Sequence, residues 1–259
     1  MAENNGNDNH NQNAFCTLQN EFCLPPYISI IIPTKNEQKI DELIDEIKRE
    51  LEKIDEPYEI LVIDKSSDDT PKKAEAAGAK VFKQKSNGLG NAIKEGLMAA
   101  KGEIILVMDA DFSHDPKHIP DFLEKIKKYD IVIGSRKIPG GKVIGWNLKR
   151  KLISNIANFL TKYLAGVKTS DATSGYRAYR KSIFSKVDLN KLSSKGFEFQ
   201  IEVLYEALRN GFRVGVVPII FQDRSFGKSK LSKRDILNFF KLCLKLFWRR
   251  TLAVISPNA

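Results

Sequence analysis

Cysteine is scarce in this chain. Its 259 residues contain three, with Cys16 and Cys23 in a polar leader and Cys243 in a helical pattern. An odd, scattered set excludes a disulfide framework and points to a reducing, intracellular compartment. Long apolar runs are missing as well. Stretches such as 28–32 and 104–108 are strand-length, far short of the roughly 20 residues that span a bilayer. The asparagine-rich first 13 residues have neither a basic nor an apolar signal region, so no secretory signal is expected. Histidine is rare too. His10 stands alone, and His114 and His118 straddle Pro116, so they read as surface residues and not as a metal set. Neither Gly-x-x-x-x-Gly-Lys-Ser/Thr nor a post-strand Gly-x-Gly-x-x-Gly occurs, and the segment 87–91 is too weak a match to either. A P-loop and a dinucleotide fingerprint are therefore excluded.

Acidic residues are scarce in one half only. Residues 1–135 hold 17 Lys/Arg and 25 Asp/Glu, whereas residues 136–259 hold 25 and 7. A half with a balance of +18 calls for an anionic partner: nucleic acid, a membrane surface or a phosphorylated substrate. Its basic residues are scattered over helices and loops with no RNP-type aromatics and no zinc module, which argues against nucleic acid.

What is present has a clear rhythm. The β-branched run 28–32 suits a strand buried on both faces. Ile40, Leu43, Ile44, Ile47, Leu51 and Ile54 then recur at helical spacing. Strands follow at 59–63, 79–82, 103–108 and 130–134. Between them lie helices opened by Thr70 as N-cap with Pro71 behind it, at 89–100, and at 116–128, where Asp115 is placed to cap. This alternation with short connections predicts an α/β fold with a parallel sheet flanked by helices. Beyond Gly134 the pattern loosens into a basic amphipathic helix at 149–164, an extended segment at 174–179, and a helix at 197–210 closed by Gly211. A strand at 212–221, a polar loop at 224–230 and a last helix at 232–250 complete it, the last carrying Ile236, Phe239, Phe240, Cys243 and Phe247 on one stripe. The expected organisation is a flexible tail at 1–26, a catalytic domain at 27–231 and a basic amphipathic C-terminal helix at 232–259.

Open α/β sheets bind ligands outside the carboxyl ends of their strands. Three polar clusters fall there: Pro33-Thr34-Lys35-Asn36-Glu37, Asp64-Lys65-Ser66-Ser67-Asp68-Asp69 and Asp109-Ala110-Asp111. Loop carboxylates also cap helices, but three clusters on one rim argue for a ligand. Asp109 and Asp111 flank a small residue, so both carboxylates can approach one hard cation. Mg2+ or Mn2+ held by one or two carboxylates and completed by phosphate oxygens is the usual arrangement of a nucleotide site.

Together these clusters resemble family 2 glycosyltransferases of the GT-A fold. Later segments narrow the resemblance: Gly134-Ser135-Arg136, Arg150-Lys151-Leu152-Ile153-Ser154, Ser174-Gly175-Tyr176-Arg177, Gly196-Phe197-Glu198-Phe199-Gln200, and Asp223-Arg224 ahead of Gly227-Lys228-Ser229-Lys230-Leu231. In this order they are similar to dolichyl-phosphate mannose synthases and related polyprenyl-phosphate glycosyltransferases, over about residues 28–250.

The resemblance implies a metal-dependent, inverting transfer of a hexose from a nucleotide diphosphate sugar to dolichyl or polyprenyl phosphate. It implies that Pro33, Thr34, Glu37, Ile63, Asp64, Lys65 and Ser66 hold the nucleoside. Asp109, Ala110 and Asp111 then bind the diphosphate, with the metal on the two aspartates. Arg136, Arg150 and Ser154 match positions facing the acceptor phosphate, and Arg224 and Lys230 match a loop closing over the donor phosphates. A guanidinium fork suits phosphate better than a lysine point charge. An acceptor phosphate is already anionic and needs no strong base, so no catalytic base is nominated. Glu198 lies in the segment implied to face acceptor or sugar, although a helix start explains it equally well. Two departures stand out. Lys65 replaces a usual acidic residue beside the base, which leaves UDP-glucose or a UDP-N-acetylhexosamine open against the favoured GDP-mannose. Ser113 stands where a glutamine is common. A non-lipid acceptor is the other alternative. A lipid acceptor without a spanning helix implies peripheral contact at the cytoplasmic face of a membrane, alone or with a small membrane subunit. The helices at 149–164 and 232–250 are candidates to lie in the interface.

Overall fold

The computed structural model describes residues 27–223 and 232–255. The leader 1–26 and the loop carrying Arg224 and Lys230 lie outside the described residues.

Strand β1 (Ile28–Thr34) is flanked by β2 (Tyr58–Asp64) and β4 (Ile104–Val107), with β3 (Lys80–Lys83) outside β2, and all four run parallel. The sheet continues through β7 (Arg177–Arg180), β5 (Ile131–Ser135) and β8 (Val214–Pro218). β7 is antiparallel to both neighbours, while β5 and β8 are parallel. The extended segment expected at 174–179 is thus a reversed strand inserted between β4 and β5. The strand expected at 212–221 is two pieces. β8 stays in the main sheet, and β9 (Ile220–Gln222) leaves it to pair with β6 (Lys142–Ile144).

Alternate side chains of the strands feed two cores, as the two-residue strand period requires. Ile28, Ile30 and Ile32 pack on one face with Ile40, Leu43, Ile44 and Ile47 of α1 (Ile40–Glu52), Ala74 of α2 (Thr70–Ala76) and Phe122 of α4 (Ile119–Ile126). Ile31, Leu61 and Ile105 face the other way. They meet Ile93 and Leu97 of α3 (Leu89–Ala99), Leu204 of α6 (Phe199–Arg209), and Leu242 and Leu246 of α7 (Lys233–Ile255). The result is a three-layer α/β/α domain.

Local signals differ from expectation in three places, at α2, at 116–128 and on α7. Thr70 is the first residue of α2 and not its cap. Its hydroxyl instead accepts the Glu37 N–H at 3.0 Å. The helix expected at 116–128 opens as a tight turn, Pro116–His118, because the Asp115 carboxylate takes the Lys117 N–H and Pro120 falls at the start of α4. On α7 the buried stripe is Leu242, Cys243 and Leu246, with Phe239 partly packed, while Ile236 and Phe240 lie open. On α5 (Leu148–Tyr163) the buried residues are Ser154 and Thr161, whereas Leu152, Ile156 and Phe159 are exposed. A polar contact with the neighbouring loop decides the phase of α5, as described below.

Candidate active site

The carboxyl ends of β1, β2, β4 and β5 and the amino end of β7 share one rim, since Val107 at the end of β4 pairs with Arg177 at the start of β7. At the β1–β2 corner, Asp64 is the hub. Its Oδ1 accepts the Thr34 hydroxyl at 2.9 Å and its Oδ2 accepts the Ser66 N–H at 3.0 Å. Asn36, at φ +56°, donates its N–H to the Ser66 hydroxyl and accepts the Ser67 N–H on its side-chain oxygen. Asparagine tolerates this left-handed conformation better than most residues. Pro33 and Ile63 are paired in the strand register directly behind this corner. Lys65 reaches outward to the Asn87 side-chain oxygen.

Asp109, Ala110 and Asp111 follow β4. Asp111 Oδ1 accepts both the N–H and the hydroxyl of Ser113, which ties the turn into a fixed shape. Asp109 meets His114: its N–H donates to Nδ1 at 3.0 Å, while Nε2 lies 3.8 Å from Oδ2. His114 is 2% exposed, stacked on Tyr176 with ring centroids 4.8 Å apart, so the surface assignment is corrected. Burial pushes its pKa below the ordinary value, against the pull of Asp109 and Asp111. Gly175 of the incoming strand passes close by: a Cβ there would sit 3.4 Å from the imidazole and 3.7 Å from Asp109 Oδ2. The two aspartates, with the Ser113 hydroxyl beside them, suit a hard cation that takes its other ligands from phosphate oxygens. Among the described residues there is no group of three His, Cys, Asp or Glu ligands that would hold a metal by itself.

Arg136, just after β5, grips Asp171 through Nε–Oδ2 at 2.7 Å and NH2–Oδ1 at 2.8 Å, and NH2 also reaches the Thr173 hydroxyl at 2.9 Å. Burial alone would raise Asp171, but the Arg136 hydrogen bonds and charge outweigh it and hold the carboxyl below its ordinary range. Arg150 NH1 meets Asp223 at 2.6 Å. Ser154 is buried one turn along α5, 3.5 Å from Thr173. Asn158 joins them, donating to Thr173 at 2.9 Å and accepting the Ala172 N–H at 2.8 Å. These contacts hold the polar side of α5 against the 170–173 loop, and they turn its apolar side outward.

One cavity of about 690 Å3 joins Asp109 to the arginines and to α5 and α7, while the Thr34–Asp64 corner and Asp111 are not in its lining. Asp109, Ser113 and His114 line one end, Arg136, Arg150 and Ser154 the middle, and Ile153, Leu160, Phe239 and Phe240 form an apolar trough between α5 and α7. Ser174, Glu198 and Gln200 also line it. The Ser174 hydroxyl, Glu198 Oε2 and Gln200 Oε1 are buried with no hydrogen-bond partner among the described residues. Buried polar atoms are normally paired, and these three are exceptions at the cavity wall. Asp171 and His114 escape sequence reasoning because their partners are not sequence patterns: Asp171 meets an arginine on another element, and His114 is covered by Tyr176, just ahead of β7, and by Phe221 of β9.

Comparison with known proteins agrees with this architecture. Residues 29–188 match Glycosyl transferase family 2. The chain belongs to that family. It is 36% identical over 211 residues to the undecaprenyl-phosphate mannosyltransferase of Micrococcus luteus, covering 78% of this chain and 86% of that protein. It is 37% identical over 218 residues to the polyprenol monophosphomannose synthase of Mycolicibacterium smegmatis, covering 80% and 82%. Its fold is that of glucosyl-3-phosphoglycerate synthase from Mycobacterium tuberculosis, solved with Mn2+, UDP and glucosyl-3-phosphoglycerate: TM-score 0.64, 20% identity, 87% and 80% covered. This family 2 glycosyltransferase therefore has the GT-A fold expected from its motifs.

Proposed function

We propose that the protein transfers a hexose, with inversion, from a nucleotide diphosphate sugar to a polyprenyl phosphate such as dolichyl phosphate. The observation that carries this reading is a cavity whose lining joins Asp109, the arginines Arg136 and Arg150, and an apolar trough of α5 and α7. A soluble phosphorylated acceptor would need the first two parts only. A polyprenyl phosphate needs all three, its phosphate at Arg136, Arg150 and Ser154 and its chain along α5 and α7. The names of the two mannosyltransferase relatives support the same acceptor.

In this reading Thr34, Glu37, Asp64 and Ser66 bind the nucleoside with Pro33 and Ile63 behind them, and Asp109, Ala110 and Asp111 face the diphosphate. Mg2+ or Mn2+ on the two aspartates would neutralise charge on the leaving diphosphate, a task shared with Arg224 and Lys230. The acceptor phosphate oxygen attacks the anomeric carbon as the bond to the diphosphate breaks, so no proton has to be removed. The chain's contribution is position and charge: the arginines hold the nucleophile in line, and Ser174, Glu198 and Gln200 hold the sugar. GDP-mannose is the favoured donor. A UDP-sugar is the second reading, because Lys65 offers only hydrogen-bond donors at the base corner, which suits the two carbonyls of uracil.

No described helix is long and apolar enough to cross a membrane. The exposed Leu152, Ile156 and Phe159 of α5 and Leu237, Leu244 and Leu252 of α7, with Lys149, Lys151, Lys241 and Arg250 among them, support peripheral contact with a cytoplasmic membrane face. Such a surface also suits a small membrane subunit.

The test is transfer by purified protein to a short-chain polyprenyl phosphate with Mg2+ or Mn2+ and, separately, GDP-mannose, UDP-glucose and UDP-N-acetylglucosamine. A labelled lipid from one donor is expected. Donor binding with no lipid product from any of the three overturns the acceptor assignment.

A further inference from the structure

Trp146, just ahead of α5, lies against both arginines of the cavity. The Arg136 guanidinium carbon is 5.0 Å from its ring centroid and that of Arg150 is 4.5 Å away. Each guanidinium has a carboxylate of its own beyond, so the order is Asp171, Arg136, Trp146, Arg150, Asp223. Phe221 closes the assembly, edge-on to the indole at 5.4 Å and 5.5 Å from Arg136.

The two ends of this ladder are held differently. The Arg136–Asp171 pair is buried, with side chains 6% and 0% exposed, and uses two parallel bonds. Arg150 has one bond to Asp223, and both side chains are more than a quarter exposed. Two guanidinium groups brought to one place repel. The electron-rich face of an indole attracts both and offsets that repulsion. Without the ring, Arg150 would be free to follow Asp223 away from Arg136. The indole has a second property. Its Nε1 is buried with no hydrogen-bond partner among the described residues, although buried indole N–H groups ordinarily find an acceptor. Trp146 lines the same cavity as Asp109, Arg136, Arg150 and Ser154.

We infer that Trp146 is a phosphate-positioning residue: its ring keeps Arg136 and Arg150 together, and its Nε1–H donates to an oxygen of a phosphate monoester bound beside the two guanidinium groups. The identity of that ester as a polyprenyl phosphate rests on the proposed function; the donor set itself requires only an anionic phosphate. A neutral prenyl alcohol lacks the charge that would draw it to the two arginines.

The chain has two tryptophans, so the full chain carrying Trp248→Phe reports on Trp146 alone. Its emission is titrated with a short-chain polyprenyl phosphate, with the corresponding alcohol and with inorganic phosphate. A saturable change with the ester and none with the alcohol is expected. Saturation by inorganic phosphate at similar concentration would identify the phosphate alone as the ligand. In the transfer assay, Trp146→Phe keeps a ring and loses the N–H, and Trp146→Leu loses both. Acceptor KM should rise about fivefold in the first and about twentyfold in the second, with donor KM unchanged. Unmoved acceptor KM with product still forming, donor KM rising in step with acceptor KM, or no emission change would each overturn the inference. An emission change that saturates while no donor yields a lipid product would retain the phosphate site and remove the transfer reading.

Discussion

The Thr34 hydroxyl at the end of β1 donates a 2.9 Å hydrogen bond to Asp64 at the end of β2. This bond fastens two neighbouring strand ends, and the second oxygen of Asp64 shapes the loop beyond by accepting the Ser66 N–H. Asp64→Ala would leave these two donors, and the Ser66 hydroxyl that also bonds Oδ1, without their acceptor in a largely buried corner. It is expected to cost about 1–3 kcal/mol in urea unfolding and to weaken nucleoside diphosphate binding measured by calorimetry. Unchanged nucleotide affinity would remove Asp64 from the nucleoside site.

Asp171 is the buried counterion of Arg136. Removing one member of such a pair leaves an uncompensated charge, typically worth about 3–5 kcal/mol. Asp171→Ala should lose stability on that scale. Asp171→Asn should lose less and should raise acceptor KM, because Arg136 is then free to turn. A stable Asp171→Ala protein with wild-type acceptor KM would show that the pair orients nothing.

Acid stability should depend on Glu202 of α6. This side chain, 1% exposed, accepts the Ser193 and Ser194 N–H groups at 3.0 and 2.8 Å and pairs with Lys245 of α7 at 3.1 Å. Burial would raise its pKa, but the Ser194 hydrogen bonds and Lys245 outweigh it and lower it. A carboxyl whose folded pKa is depressed stabilises fully above its unfolded value, about 4.3, and loses that contribution as pH falls through the lower folded value. Glu202→Gln should therefore be less stable at neutral pH and should lose less further stability on acidification below about pH 4.3. Parallel curves for the two proteins would exclude Glu202 as a contributor.

Asp111→Ala should reduce transfer by at least about a hundredfold, a loss comparable to that of one preorganised electrostatic group. Its unfolding midpoint should change little, since the turn is partly exposed. Chelation of divalent ions should silence the wild-type enzyme to a similar level. Activity that survives both treatments would count against a metal on Asp109 and Asp111.

Glu198 accepts the Lys195 and Gly196 N–H groups through Oε1 at 3.3 and 3.2 Å and keeps Oε2 in the buried trio with Ser174 and Gln200. Glu198→Gln replaces a charged acceptor by an amide. Affinity for the nucleotide sugar should fall about tenfold while affinity for the sugar-free nucleoside diphosphate stays as it was, the difference expected for a hydrogen bond to a charged group. An equal loss for both ligands would place Glu198 outside the sugar site.

Much of this is legible in the sequence. Strand–helix alternation is local, because a run such as 28–32 suits only a strand covered on both faces, and the polar clusters follow the strands directly. What escaped depends on distant partners. A stretch at 174–179 reads as extended, but its direction is set by β4 and β5 on either side. The apolar residues of α5 do not by themselves say whether that face packs on the sheet or turns outward. Asn158 and Ser154 dock on the 170–173 loop and leave Leu152 and Phe159 outward. On α7 the expected stripe holds Cys243, which is buried, but not Leu242 and Leu246, which also reach the core.

The reversed strand β7 also bears on the order of assembly. β1 to β4 can pair as the chain leaves the ribosome, but β5 has no partner among them, since it contacts β4 only through β7. Until Arg177–Arg180 is synthesised, the open edges of β4 and β5 remain available to wrong partners. The same late segment brings Asp171, Ser174 and Gly175 to the rim. Joining the two parts of the sheet thus also sets the rim in place, while the cavity is closed only later, when Phe221 of β9 and Phe239 and Phe240 of α7 follow.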